Sequence, residues 1–231
     1  MQETIKIKIK TLSNLMIGGA PAPFEIGGVD QYTATTYEGF PYIPASTLKG
    51  VLRAMVREDK GEDAKAIAKL YGVYLNSEKE KHWEEIEKKY DEEAQERIRD
   101  RYNKPGEAEF LFGIEGFNHS PKIIVNDLYL CETFHDKSKC FSIDAKTSIQ
   151  KSDNAVVSNP RTYKAARGGL VFEGELLFYK MEQLGEHALE QCKEYIIKTL
   201  EQFNDGIYRL GNSKSRGYGK IEVIIKDSEV V

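Results

Sequence analysis

A glycine-rich segment near the end of the chain carries residue types that bind polynucleotide backbones. It runs from Gly211 to Gly219 and holds three glycines, two cations, two serines and one tyrosine. Glycine permits positive φ, so successive backbone N–H groups can converge on an anion, while the tyrosine offers a stacking face. The alternative is a tight turn before a final strand. The residues predicted to contact a polynucleotide backbone here are Ser213, Lys214, Ser215, Arg216, Gly217 and Tyr218.

A second segment, residues 43–53, predicts a helix that begins near a phosphate. A proline followed by serine and threonine is typical of a helix start, and apolar residues then recur at helical spacing. Lys49, Arg53 and Arg57 form a separate basic stripe. A cation in the first turn opposes the helix dipole unless an anion also lies there. A solvated basic face is the alternative. The residues predicted to contact the phosphates of a polynucleotide are Ser46, Thr47, Lys49 and Arg53.

The elements around these segments predict an α+β fold. Isoleucines alternate with lysines over residues 5–9, which is the pattern of a half-buried strand. A long loop and a helix near Ser46 follow this strand. Further apolar strands are predicted at 122–130, 169–179 and 218–226, with a helix at 182–203 between the last two. This order predicts one ferredoxin-like or RRM-like βαββαβ domain spanning residues 1–231.

Two insertions interrupt this predicted order. A short helix at 63–71 is followed by a surface helical insertion over 77–106, which is ended by Pro105 and Gly106. Residues 131–168 lie between the second and third predicted strands and are rich in serine, asparagine and lysine. We expect this second insertion to project from the core. Its cations are Lys146, Lys151, Arg161, Lys164 and Arg167, of which Lys146, Arg161 and Arg167 are predicted to contact a polynucleotide.

Composition limits the protein class without excluding a nucleic-acid partner. The net charge is −4, but residues 77–110 alone hold 12 acidic and 8 basic side chains, so the rest of the chain is neutral. Affinity depends on the cations that meet phosphates, not on the average charge. No apolar run has the length of a membrane span and the first residues lack a signal-peptide core, so we expect a cytoplasmic protein that does not contact membranes.

Metal and nucleophile signatures are weak. The three cysteines form no CxxC pair, so a disulfide framework is not expected. Cys131, His135 and Cys140 could supply zinc ligands, although their spacing fits no common finger. The sequence contains no nucleophile elbow, Walker loop or dinucleotide fingerprint. Asp30 lies in the long loop after the first predicted strand, beside Gly27 and Gly28, and is either a turn residue or a candidate acid–base group.

Several short motifs together resemble one family, the RAMP superfamily, and within it the Csm-type backbone subunit of type III CRISPR effector complexes. They occur in the family's order and span nearly the whole chain. The motifs are residues 26–30, 39–50, 111–113, 125–130, 159–161 and 215–220.

The resemblance implies a filament of copies of this subunit, with other Csm-type subunits, coating a CRISPR guide RNA that pairs with a single-stranded target RNA. It implies that Lys49 and the glycine-rich segment grip the guide and that residues 131–168 form a protruding thumb. The family's target-cleaving aspartate falls on Asp30, which implies metal-dependent endoribonuclease activity, with Mg²⁺ bound only transiently and only within the assembled complex. The loop after it, residues 31–38, departs from the family's usual sequence.

Two other functions remain open at the level of sequence. The chain is alternatively a non-catalytic RAMP subunit that extends or caps the guide-RNA filament. A second alternative is an endoribonuclease that processes precursor guide RNA with a histidine. The region between the first predicted strand and the first predicted helix contains no histidine, which argues against the processing enzyme.

Overall fold

The computed structural model describes residues 3–19, 29–103, 105–115, 117–152 and 155–226. The chain divides into two compact units. The first unit is built mainly from residues 52–124 and 177–199. The second unit contains residues 4–51, 125–176 and the chain from 200 onward. Neither unit is a continuous stretch of sequence, and the single-domain organisation stays a prediction.

Nine strands and four α-helices are found in the described residues. The strands are β1 Thr4–Thr11, β2 Gln31–Tyr32, β3 Tyr42–Ile43, β4 Lys122–Val125, β5 Leu128–Leu130, β6 Phe141–Ser152, β7 Ala155–Ala166, β8 Val171–Tyr179 and β9 Ile221–Lys226. The helices are α1 Ala45–Glu58, α2 Glu62–Lys89, α3 Glu92–Tyr102 and α4 Ala188–Glu201. Short 3-10 helices include Lys137–Cys140, Gln202–Asp205 and Lys214–Arg216.

The larger sheet confirms the predicted α+β, ferredoxin-like class. Its strand order is β3-β5-β8-β1-β9, and β4 also pairs with β8. β1, the first strand of the βαββαβ order, therefore lies between β8, its third strand, and β9, its fourth. β1 pairs antiparallel with β9. The alternation of isoleucine and lysine on β1 arises because one face of the strand is buried, with Ile5, Ile7 and Ile9 in the core.

The strand predicted over 122–130 is interrupted, which corrects the sequence analysis. Asn126 and Asp127 separate β4 from β5. The Asn126 N–H donates to the carbonyl of Glu175 over 3.1 Å. On the facing strand, a Cβ at Gly174 would lie 2.7 Å from Cγ of Leu128. A side chain at position 174 would therefore clash with Leu128, so a glycine suits the position that faces the interruption between β4 and β5.

Residues 131–168, predicted only as a polar projecting insertion, contain a long hairpin. β6 and β7 pair antiparallel from Phe141 opposite Ala166 to Ser152 opposite Ala155. β2 joins β7 in parallel, giving the three-stranded order β2-β7-β6. This sheet anchors the loop that carries Asp30 directly to the hairpin. The role of the hairpin as a thumb stays a prediction.

In the first unit, α2 is one helix of 28 residues, so the predicted break after residue 71 is wrong. The helix continues through Gly72, and Gly106 packs closely against it, because a Cβ on Gly106 would lie 2.4 Å from the Gly72 nitrogen and 1.9 Å from the Ala68 carbonyl oxygen. The helical insertion predicted over 77–106 therefore consists of the second part of α2 followed by α3.

Aromatic side chains contribute to the core of the first unit. Tyr71 on α2 is completely buried, and its ring meets that of Phe110 edge to face at 6.0 Å. Its hydroxyl donates to the Pro121 carbonyl over 3.1 Å, so the buried polar group is satisfied. Of the helices that the structure describes, none is both long enough and apolar enough to cross a membrane.

Candidate RNA-binding and cleavage site

Asp30 is held against β7 by one residue, Thr162. The Asp30 N–H donates to the Thr162 carbonyl over 3.0 Å. In return, Oδ2 of Asp30 accepts from the Thr162 N–H at 2.5 Å and from its hydroxyl at 3.1 Å. Both residues belong to the second unit. The carboxylate therefore has a defined position next to the hairpin.

The same contacts fix the ionisation state of Asp30. The backbone N–H of Thr162 contributes most, its hydroxyl next, and the charge of Arg161 less, and together they hold the pKa of Asp30 below its ordinary value. Among the described residues, none hydrogen-bonds to Oδ1. An exposed carboxylate with one free oxygen can accept a proton or hold one ligand of a metal ion.

The donor set around Asp30 fits Mg²⁺ only if RNA completes it. Within the described ranges there is no group of three His, Cys, Asp or Glu side chains placed to hold a metal ion. Mg²⁺ keeps several waters and is commonly held by one or two carboxylates with substrate phosphates. Asp30 would hold such an ion through Oδ1. Cys131, His135 and Cys140 all lie in the described ranges and do not form such a group either.

Two backbone N–H groups of the glycine-rich segment are already paired within the loop and so do not contribute to the predicted anion cradle. The Arg216 N–H donates to the Ser213 carbonyl over 2.9 Å, and the Gly217 N–H donates to that of Lys214 over 3.2 Å. These groups are satisfied within the 3-10 helix Lys214–Arg216, which Gly217 ends at φ +93°. The side chains of Lys214, Ser215 and Arg216 are exposed. The prediction that this loop contacts RNA therefore rests on these exposed side chains and not on the N–H groups of Arg216 and Gly217.

Tyr218 does not offer a stacking face, which corrects the sequence analysis. Its side chain is 8% exposed and packs with Met16, Tyr163 and Ala165. Its hydroxyl donates a short hydrogen bond to Oδ2 of Asp144. Burial, followed by this hydrogen bond, raises the pKa of Tyr218 well above its ordinary value. The ring is a structural anchor for the glycine-rich segment.

Asp144 and Asn14 form a polar network that the sequence analysis missed. Asn14 donates from Nδ2 to Oδ2 of Asp144 over 3.0 Å, and Ser142 donates to Oδ1 over 2.9 Å. With Tyr218, the carboxylate ties β6 to the segment after β1 and to the glycine-rich segment. An aspartate in a polar strand gives no sequence signal for this role, because its partners are distant along the chain.

The predicted hairpin cations have different placements. Lys146 on β6 lies opposite Arg161 on β7, and the Arg161 side chain is exposed. Arg167 is exposed as well, but its Nη2 donates to the Phe141 carbonyl over 3.0 Å at the base of the hairpin. Arg161 is therefore better placed than Arg167 to meet a phosphate.

The N-terminus of α1 has an anionic partner from the protein itself. The Ala45 N–H donates to Oδ1 of Asp127 over 2.6 Å. This carboxylate complements the helix dipole at the place where a phosphate was predicted from Lys49. Ser46 is exposed, and Thr47 donates its N–H to the Pro44 carbonyl over 2.9 Å. The basis for predicting phosphate at this helix end is therefore weakened.

Arg53, in the first unit, is paired with an acidic side chain. It lies 3.6 Å from Glu109, and Arg57 lies 2.5 Å from the same carboxylate, whose side chain is 14% exposed. Burial of Glu109 acts to raise its pKa, but the hydrogen bond from Arg57 and the charge of Arg53 outweigh it, so the pKa is lowered. The predicted RNA contact of Arg53 would have to compete with this ion pair.

These placements predict different salt dependences for the cations. We expect Lys214→Ala and Arg216→Ala each to reduce the salt slope of single-stranded RNA binding by roughly 0.7, because each removes one phosphate contact. Arg53→Ala should leave the slope unchanged. The measurement is RNA affinity at a series of salt concentrations for the three variants. A slope reduced only in the Arg53 variant would place the RNA on α1 instead.

Comparison with known proteins identifies the family. The model of the RAMP superfamily matches residues 8–222. No curated protein matches the sequence. Among solved structures, the chain is similar to one in the cryo-EM structure of the type III-B Cmr-beta bound to cognate target RNA, with a TM-score of 0.54 and 18% identity. The match covers 97% of this chain and 60% of that one, so this chain spans about three fifths of its length. Because the family model spans nearly the whole sequence, the protein belongs to the RAMP superfamily.

Proposed function

We propose that the protein is a backbone subunit of a type III CRISPR effector complex that binds guide RNA and cleaves the paired target RNA. The observation that carries the proposal is the fixed, ionised Asp30 beside the hairpin, in the same unit as the exposed cations Arg161, Lys214 and Arg216. Family membership supports RNA binding. The similar solved structure belongs to a type III-B complex with target RNA, which supports the type III assignment.

The partners in this proposal are guide RNA, target RNA, further copies of the chain and other subunits of the complex. The Csm-type branch is proposed from the sequence motifs, since the similar solved structure is of type III-B. The exposed cations track the phosphates of a single strand without reading its sequence. The cytoplasm, where guide and target RNA would meet, is the proposed location.

The cleavage step needs the assembled complex. Asp30 supplies one carboxylate, which accepts a proton from the attacking oxygen or holds a ligand position of Mg²⁺. When bound, Mg²⁺ stabilises negative charge that develops on the phosphate. The carboxylate acts only if guide and target hold the scissile bond in line with the attacking group. The isolated subunit is therefore expected to be inactive.

One experiment separates this proposal from its alternatives. The purified protein is incubated with precursor guide RNA, and the assembled complex is incubated with target RNA, each with Mg²⁺ or EDTA. We expect regular cuts in the target only in the complex with Mg²⁺. Cutting of precursor RNA by the isolated chain would indicate a processing enzyme. Target binding without cutting would indicate a non-catalytic filament subunit.

A further inference from the structure

The link between Asp30 and Thr162 is denser than a turn requires. Each residue donates two hydrogen bonds to the other. The Asp30 N–H donates to the Thr162 carbonyl and lies 3.3 Å from the Thr162 hydroxyl, and Oδ2 of Asp30 accepts from the N–H and the hydroxyl of Thr162. A turn-forming aspartate typically bonds to its own backbone two residues on. Here the carboxylate bonds to a residue 132 positions away, on a different strand. The contact fixes one carboxylate oxygen, while no other residue in the described part of the chain hydrogen-bonds to the second oxygen.

We propose that Thr162 is a positioning residue for target cleavage, which holds Oδ2 of Asp30 so that Oδ1 meets the reacting group or its metal ion. The inference rests on the proposed function. A carboxylate bound through one oxygen has a fixed plane, and catalysis is sensitive to displacements of about 1 Å in such groups. The two donors of Thr162 fix this plane without burying the carboxylate.

Thr162 is itself held in a rigid frame. It lies opposite Ala145 in the hairpin, and its neighbour Tyr163 lies opposite Asp144. Asp144 accepts hydrogen bonds from Tyr218 and Asn14, while Tyr163 packs against Tyr218 in the buried cluster. These contacts therefore hold the strand that carries Thr162 immediately beside its hydrogen bonds to Asp30. Positions on rigid elements hold reacting groups more accurately than positions on loops.

The chemistry of threonine suits this position. Its branched Cβ restricts χ1, so that the hydroxyl stays directed at one partner, and its shape favours a strand. Valine retains the shape and removes the hydroxyl. Serine retains the hydroxyl and removes the methyl group. The two substitutions therefore separate the hydrogen bond from the packing of the strand.

The test uses the assembled complex carrying Thr162→Val, Thr162→Ser or Thr147→Val. Thr147 is an exposed threonine on β6 and serves as the matched control. We expect Thr162→Val to slow target cleavage roughly three- to tenfold, with guide and target affinity unchanged. Thr162→Ser and Thr147→Val should cleave at close to the wild-type rate.

A pH profile distinguishes positioning from a purely structural role. The hydroxyl of Thr162 helps to keep the pKa of Asp30 low. Its loss raises that pKa, so the fall in cleavage rate at acidic pH should begin at a higher pH in Thr162→Val alone. An unshifted profile and a wild-type rate in this variant, with an inactive Asp30→Ala, would overturn the inference and leave the proposed function intact. Wild-type cleavage by Asp30→Ala would overturn both.

Discussion

Asp30→Ala should reduce metal-dependent cleavage of target RNA at least about a hundredfold, which is the usual effect of removing a positioned acid–base group. Guide and target binding should stay close to wild type, because a carboxylate repels phosphate and adds nothing to affinity. The fold should survive as well. The Thr162 N–H and hydroxyl released by the substitution lie at an exposed site, where water can replace the lost carboxylate.

The measurement is single-turnover cleavage of target RNA by the complex assembled with wild-type or Asp30→Ala subunits. A matched control is Asp205→Ala, which removes an exposed aspartate from the same unit at the end of a 3-10 helix. The control should cleave at the wild-type rate. If the two variants behave alike, Asp30 is a turn residue and the chain is a filament subunit without catalytic function.

Local patterns predicted the framework of the fold. Alternating isoleucine and lysine on β1 and the helical repeat of apolar residues on α1 each reflect one buried face, so they are readable from neighbours in sequence. The order of these elements then restricts the sheet to few topologies. This is why the ferredoxin-like class could be predicted although the exact ends of the strands could not.

The errors concern residues whose partners are far away along the chain. Tyr218 was predicted to be an exposed stacking face, but its ring is buried and its hydroxyl donates to Asp144, which lies 74 positions earlier. The carboxylate at the start of α1 comes from Asp127, 82 positions away. Such pairings follow from the tertiary fold, and no local spacing encodes them. The same holds for Thr162, which no motif singled out.

Two secondary-structure errors have a different cause. Gly72 follows the predicted helix end and glycine lowers helix propensity, yet α2 continues through it and Gly106 packs against this part of the helix. The hairpin strands β6 and β7 carry mostly polar residues, and Ile143 is 68% exposed. Among the described residues of the hairpin, Tyr163 and Ala165 are buried, but they pack against Met16 and Tyr218, which are distant along the chain. Local alternation of apolar residues therefore does not reveal the hairpin.

Gly219→Ala should cause the largest loss of stability among glycine-to-alanine substitutions in the glycine-rich segment. Gly219 has φ +73°, and a Cβ there would lie 1.9 Å from the Leu210 carbonyl oxygen and 2.9 Å from its carbonyl carbon. These are backbone atoms, so the neighbour cannot rotate away. We expect a cost above about 4 kcal/mol, a range reached only by severe steric or burial defects. For a chain of this size, the melting temperature would fall by roughly 8 °C or more.

Gly217→Ala provides the matched comparison, because Gly217 also has positive φ but a Cβ there would meet nothing within 4 Å. The cost is then only that of the left-handed backbone, about 1 kcal/mol. Thermal melting and RNA affinity are measured for both variants. We expect Gly217→Ala to melt near the wild-type temperature and to lose RNA affinity if Lys214 and Arg216 contact phosphate, since it distorts the turn that presents them. Equal melting temperatures for the two variants would mean that β9 and the loop before it shift to accommodate the Cβ at position 219. The close contact with Leu210 would then not hold this loop in place.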